Sequence, residues 1–504
     1  HLQMPKEYLA AGRIAYAPHN VYANFPANVE MLYLVCMVIE GDAIDAAGVC
    51  KMLNAWLAVL VVAAAWLIGR QCSPVTGLVT GIATAGAGWL TYLSGVAYVE
   101  NGMLFFGMLA LAALFKGRAD SQRAHRWVVL SGLFVGLACG CKYTAIGLIG
   151  LPLFVVLPIV VAGPMRRRVG SIVVFLVAAL AAFAPWGIKN VTMTGDPFFP
   201  LAGSIVADHP PGWGQAQSEH FAASHAPNPN ERTPGRRLAM FWRRVLLDGD
   251  GGPIRQRLGW SIFALACWAS LTRRRDRWVQ ACWVMLFVQV VVWLWGTHLY
   301  ARFAVPLLIP LIGLIGNLLL ETARARRAVI VLLLLGTASS LGFTARLYAQ
   351  HLRPGGDWID LEGATGLFTA GQGLGHEHLA VINGDLPDDA RVLMLGDARA
   401  FYFRRQVDYC VVFNRNPLVT LLRDGADAAR VVDWLVDRGY THVLVNWSEI
   451  RRLGKSGYGF PPEIDRDLFD RLSAAGLSRT HQFRATPTSA PYAELYRVGA
   501  GRFR

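Results

Sequence analysis

The stretch WVVLSGLFVGLACGCKYTAIGLIGLPLFVVLPIVVAG (127–163) carries a single formal charge, Lys142, in a run of otherwise apolar and small residues. A helix rising about 1.5 Å per residue crosses the hydrocarbon core of a bilayer with about 20 such residues. This block is nearly twice that long. It therefore predicts two membrane-crossing helices hinged near Lys142.

Working outward, residues 54–69, 74–93, 102–115, 170–188, 258–271, 278–296, 303–320 and 328–343 are also almost free of charge. With the double block they predict about ten spans, several of them short. Composition agrees: apolar residues make up 54% of the 504 residues and charged residues 16%, against about a quarter charged in soluble domains. The fold class expected is a polytopic α-helical membrane protein.

The charges orient it. Basic residues gather at Lys116/Arg118/Arg123/Arg126, Arg166/Arg167/Arg168, Arg273/Arg274/Arg275/Arg277 and Arg324/Arg326/Arg327, with Arg70 a weaker site. Walking the spans in order puts all of these on one face, which the positive-inside rule makes cytoplasmic. The intervening short loops 92–100 and 297–301 hold no Lys and no Arg before Arg302. Both ends then face outward, consistent with a bacterial inner-membrane protein. The net charge of +14 meets anionic headgroups and calls for no nucleic acid. The eight cysteines are scattered, with neither zinc-ligand spacing nor a disulfide framework. An outward-facing opening at His1 without an export signal raises the expectation that at least one further span precedes it.

Residues 1–50 read as an external segment. Two amphipathic stretches, 3–15 and 29–39, are suited to lie in the membrane interface, and PHNVYANFP (18–26) is a turn between them. A larger external loop, 189–257, contains TGDPFFP (194–200) and the basic amphipathic stretch RRLAMFWRR (236–244). Residues 51–345 form the multi-span domain that includes this loop. Composition changes at 345–357, and 355–504 reads as a soluble external α/β domain. Its expected strands are 391–397, 409–413, 441–446 and 493–498, with a helix over 429–440; this order predicts parallel pairing.

Ionisable groups at span ends are costly and functional by default. Glu30, Glu100, Lys142 and Arg302 stand out, all on the outer face. Two carboxylates with two cations suit a site that holds a phosphate and activates a hydroxyl. Each has a plainer reading beside that one. Lys142 and Arg302 also suit snorkelling to headgroups, Glu100 suits capping of its helix, and Glu30 suits an ordinary surface position. GQGLG (371–375) lacks the strand and βαβ unit of a dinucleotide site, and HEH (376–378) lacks metal-motif spacing.

The segments HLQMPKEYLAAGRI…NVYANFPANVEMLY (1–33), AYVENG (97–102), GLACGCKYTA (136–145), PWGIKNVTMTGDPFFPL (185–201) and HLYARFAVPLLIPL (298–311) occur in the order found in GT-C-type glycosyltransferases. The chain resembles the relatives of protein O-mannosyltransferases and of the lipid A aminoarabinose transferase. RVLMLGDARAFYF (391–403) and GYTHVLVN (439–446) resemble the external domain of one bacterial branch. The resemblance implies inverting transfer of a sugar from a polyprenyl-phosphate donor to a lipid, glycan or protein acceptor of the cell envelope. It implies an Asp base upstream of His1, a position that neither Glu7 nor Glu30 matches, with Glu100 matching a second acidic position; Glu30 stays a catalytic candidate on its own chemistry. Lys142 and Arg302 would hold the donor phosphate. His1, Lys6, Asn24, Tyr98 and Asn190, within or beside the matching segments, complete the expected substrate-binding set. A metal requirement is left open. The rival expectations are a transporter or flippase for a lipid-linked substrate, and a non-catalytic envelope scaffold. The first sits poorly with a sequence lacking duplicated halves and mid-span charge.

Overall fold

The computed structural model describes residues 1–202, 210–247, 258–351, 377–484 and 487–499. The glycine-rich 371–375, His376, the expected domain start at 355, residues 352–357 of the composition change, and loop residues 203–209 and 248–257 lie outside that set.

Two short helices, α1 (Gln3–Ala11) and α2 (Asn28–Glu40), precede the apolar bundle. The bundle comprises α3 (Ala47–Arg70), α4 (Pro74–Ala85), α5 (Gly88–Ser94), α6 (Glu100–Ala119), α7 (Ala124–Cys141), α8 (Leu151–Val160, entered through a π-helical turn, Ile146–Gly150) and α9 (Met165–Thr194). After the short helices α10 (Gln215–Ser224) and α11 (Pro234–Phe241), it continues with α12 (Trp260–Thr272), α13 (Arg277–Gly296), α14 (Leu308–Ile315) and α15 (Ala323–His351).

Local chemistry sets these boundaries. Ser73 caps α4 by accepting from Thr76 N–H, with Pro74 in the first turn, and Asp276 caps α13 by accepting from Trp278 N–H. Gly132 and Gly136 let α7 lie directly on α9, because a Cβ at either would overlap the backbone of Phe175 or Ala179. Small residues four apart are the usual device for close helix contact in lipid.

Large apolar side chains stay exposed along the outer faces: Val173, Val177 and Leu180 on α9, Phe287 and Trp295 on α13, Ile330 and Leu334 on α15. Water would penalise faces of this size; hydrocarbon does not. This is a multi-pass membrane protein. Among the described residues, five helices are long and apolar enough to cross: Ala47–Arg70, Ala124–Cys141, Met165–Thr194, Arg277–Gly296 and Ala323–Gly342. The expected ten are not all present at full length. The 74–93 block breaks at Gly86–Ala87 between α4 and α5, 258–271 becomes a 13-residue helix, and 303–320 opens as a 3-10 turn (Ala301–Leu307) before α14. Pro and Gly within these blocks divide what hydropathy alone reads as continuous.

Residues 377–499 contain a five-stranded mixed sheet in the order β2-β1-β3-β5-β4, formed by β1 (Arg391–Leu395), β2 (Gln406–Tyr409), β3 (His442–Asn446), β4 (Ser478–Arg484) and β5 (Pro491–Arg497). β1 pairs parallel with β2 and β3, whereas β5 runs antiparallel to β3 and β4. Parallel pairing therefore holds for half of the sheet. The expected strand 409–413 is corrected: β2 ends at Tyr409, and 411–414 form a turn whose Val411 N–H donates to His19 O (2.9 Å). Its apolar residues are buried by packing against Val21, Phe199, Trp213 and Phe221 rather than by a sheet.

Candidate functional site

Glu100 begins α6. The turn before it is pinned from below by Asn54 Nδ2, which donates to Leu93 O and Val96 O, while Asn101 Nδ2 donates to Asn54 O. Glu100 Oε2 accepts from Val99 N–H (3.3 Å), so the carboxylate does meet its helix terminus. It does more than that. Lys142 Nζ donates to Oε1 at 2.7 Å, and Arg302 Nε lies 3.2 Å from the same oxygen.

The backbone explains the convergence. α7 stops at Cys141, Lys142 is extended (φ −166°, ψ 135°), and its side chain reaches across the break to α6. Arg302 sits in the 3-10 turn that opens the α14 segment, and its guanidinium stacks 5.0 Å from the Tyr98 ring and 5.7 Å from Phe303. Lys142 Nζ lies 5.1 Å from the same Phe303 ring. Aromatic faces favour both cations.

Burial is graded. The Glu100 side chain is 2% exposed, Lys142 19% and Arg302 33%. A buried carboxylate is tolerated because it is paired. Two cations on one carboxylate leave one positive charge over, nearer the more exposed Arg302. Such a cluster is equipped to take an anion.

His1 and Glu30 border it. His1 Nδ1 lies 2.7 Å from Glu30 Oε1, and its ring meets Tyr98 edge-on at 5.4 Å. Tyr33 Oη donates to Tyr98 O, fixing that residue from behind. Glu30 Oε2 is buried without a hydrogen-bond partner among the described residues.

The other three candidates lie apart from the cations' shared carboxylate. Lys6 Nζ donates to Phe401 O (2.7 Å) and Phe403 O (2.6 Å), joining α1 to the sheet region; burial pushes its amine down to about 8. Asn24 closes its own turn, accepting from Ala17 N–H and donating to Ala17 O and Asn20 O. Asn190 Nδ2 donates to Tyr143 Oη, which donates to Phe199 O.

Sequence reading missed the framing of Arg302. Leu299 is buried with φ +61°, a conformation a leucine rarely adopts. It is held there from several sides: Thr297 Oγ1 accepts from Leu299 N–H, Arg244 donates to Leu299 O, and Trp293 Nε1 donates to Tyr300 O. Strain persists only where surroundings over-determine it. No local motif announces this; the nearest signal is THLY directly before the arginine. Also missed was an aromatic run, Tyr22–Phe221–His225–His298–Phe303, linking residues 22 and 221–225 to the cations' ring. Among the described residues no group of three or more His, Cys, Asp or Glu side chains is placed to hold a metal ion.

No family model matches the chain, and no curated protein matches it. Solved structures do. ArnT from Cupriavidus metallidurans bound to undecaprenyl phosphate aligns over 99% of this chain and 93% of its own, with TM-score 0.57 and 15% identity. The apo state of the same protein gives 98%, 92%, 0.54 and 14%. The Archaeoglobus fulgidus oligosaccharyltransferase tethered with an acceptor peptide aligns over 95% of this chain and 68% of its own, with TM-score 0.50 and 11% identity. These neighbours are GT-C glycosyltransferases, the group the sequence resembles. At such identities the likeness is one of fold.

Proposed function

We propose that this chain, built on the GT-C fold, transfers a sugar from a polyprenyl-phosphate donor to a cell-envelope acceptor with inversion. The observation that carries the reading is the shared carboxylate: Lys142 and Arg302 converge on Glu100 Oε1 and leave surplus positive charge. The undecaprenyl phosphate in the ArnT neighbour is the kind of ligand such a cluster suits.

In this reading Lys142 and Arg302 bind the donor phosphate, Glu100 positions both, and Tyr98 and His1 form the rim. The acceptor hydroxyl attacks the anomeric carbon from the face opposite the phosphate. The new C–O bond forms as the bond to phosphate breaks, and the leaving polyprenyl phosphate carries the electron pair onto oxygens stabilised by the two cations. The acceptor proton passes to a carboxylate. Within residues 1–504 the carboxylate bordering the cations is Glu30, paired with His1. Lys6, Asn24 and Asn190 would shape the surrounding pocket.

We place the site on the outer face of a bacterial cytoplasmic membrane, with the shorter apolar helices completing about ten crossings. Residues 355–504 then form a periplasmic domain. The test is the full-length protein in proteoliposomes with a labelled polyprenyl-phospho-sugar and an envelope extract. Label transferred to acceptor with release of polyprenyl phosphate is expected. Neither donor binding nor transfer, or passage of intact donor across the bilayer, overturns the reading.

A further inference from the structure

A second cationic site lies at the opposite, arginine-bearing end of the bundle. The ends of α6 and α8, the starts of α7 and α9, and the loop entering α13 enclose a cavity of about 720 Å³. Arg118, Arg167, Arg275 and Arg277 line it, with Asp276 as the acidic lining residue. That aspartate is already engaged: it caps α13, accepts from Arg118 Nη2 (2.8 Å), and lies 3.9 Å from Arg273. Arg118 is also tied to Asn317 (3.1 Å).

The helix ends add to the charge. α7, α9 and α13 all start at this cavity, and helix N-termini carry the positive end of the macrodipole. α6 and α8 contribute negative ends, the first offset by its own Arg118. The remaining wall is mostly apolar, including Leu114, Trp127, Val128, Val160 and Val174, with His125 and Ser171 as its polar members. Gly170, on this wall, has nothing within 4 Å of where a Cβ would stand.

Arginines clustered at span ends commonly do no more than orient a membrane protein. An open cavity with a cationic rim and an apolar wall does not follow from that rule. It fits an amphiphile with a phosphate head and hydrocarbon chains. We infer that this cavity binds the headgroup and upper chains of an anionic phospholipid from the leaflet on the arginine side. Basic pockets between membrane helices take such headgroups. The site is separated from the Glu100 cluster by the length of the bundle, and the inference does not depend on the transferase reading.

The test uses the purified full-length chain, stripped of lipid and titrated in detergent with phosphatidylglycerol or phosphatidylcholine of matched chains, followed by native mass spectrometry. One phosphatidylglycerol is expected to be retained with at least about tenfold preference, equivalent to ~1.4 kcal/mol. Arg167→Gln/Arg275→Gln/Arg277→Gln is expected to abolish that preference, and Ser171→Phe, which fills the cavity and keeps the charges, to reduce it. Arg324→Gln/Arg327→Gln, outside the cavity, should leave it intact. Equal retention of the two lipids overturns the assignment. So does equal loss in the Arg324/Arg327 control, or inorganic phosphate competing as strongly as the lipid. Should the triple variant fail to run as a single species on gel filtration, the Ser171→Phe result decides.

Discussion

Lys142, at the break after α7, donates across 2.7 Å to Glu100, the first residue of α6, so a single buried ion pair ties two span ends together. Arg302 joins on the same oxygen. In the transferase reading both cations contact the donor phosphate. Lys142→Ala and Arg302→Ala should each weaken donor binding roughly 10- to 100-fold, the range of a charge-assisted hydrogen bond. Equilibrium binding of a polyprenyl-phospho-sugar checks this, and unchanged affinity in both variants removes their assigned role.

Glu100→Gln tests the positioning role separately. Leaving two cations without their carboxylate should lower stability by about 3 kcal/mol, as breaking a buried pair does. Polyprenyl phosphate should then raise Tm more in the variant than in the parent, because it supplies the missing negative charge. An equal shift in both proteins would contradict the surplus-charge argument.

Asn414 Nδ2 donates to Pro18 O, and its Oδ1 accepts from Val21 N–H, both at 2.9 Å. Asn414→Leu strands the buried Val21 N–H, at ~1–3 kcal/mol, and removes the part-buried bond to Pro18 O. Faster proteolysis within residues 1–26 is the expected consequence. If cleavage rates match those of the parent, this contact does not hold the segment.

His298 is held down to about 4, first by burial and then by the positive charge of His225, Arg302 and Lys142. Between about 6.5 and 4 the unfolded chain takes a proton that the folded chain refuses. Stability from this group is therefore full above pH 6.5 and falls as pH drops towards 4. Tm measured from pH 7 to 4.5 should decline less steeply in His298→Phe. Parallel profiles would show that another group governs the slope.

Side-specific labelling of single cysteines checks the proposed topology. Residues introduced near 96 and 298 should react with an impermeant reagent from the face that labels the sheet region, and residues near 166 and 274 from the other. A sheet region labelled with the arginine face would remove the outer location of the Glu100 cluster.

Glu100, Lys142 and Arg302 were legible one by one because a charge in an apolar run is conspicuous. Their meeting on one oxygen was not, since it depends on where three separate span ends stop. The same limit explains the broken spans: hydropathy sees 74–93 as one block, whereas Gly86 and Ala87 interrupt hydrogen bonding that only the backbone reveals. β1 and β3, buried along nearly their whole length, announced themselves. β4, SRTHQFR, is an exposed edge with few apolar residues and gave no such signal. YCVVF reads as a strand by composition, yet its burial comes from the loop at His19, Val21 and Tyr22, far away in sequence.

Residues 1–24 and the sheet region grip each other through Lys6, Glu7, His19, Asn20 and Val21 on one side and Phe401, Tyr409, Val411 and Asn414 on the other. The two pieces are therefore not interchangeable modules. A chimera that swaps the sheet region for a foreign counterpart inherits a mismatched seam, and the cost falls on His1 and Tyr98 at the mouth of the cation pair. Substitutions on one side of that seam should be repairable only from the other, so any redesign of residues 377–499 has to carry the opening segment along with it.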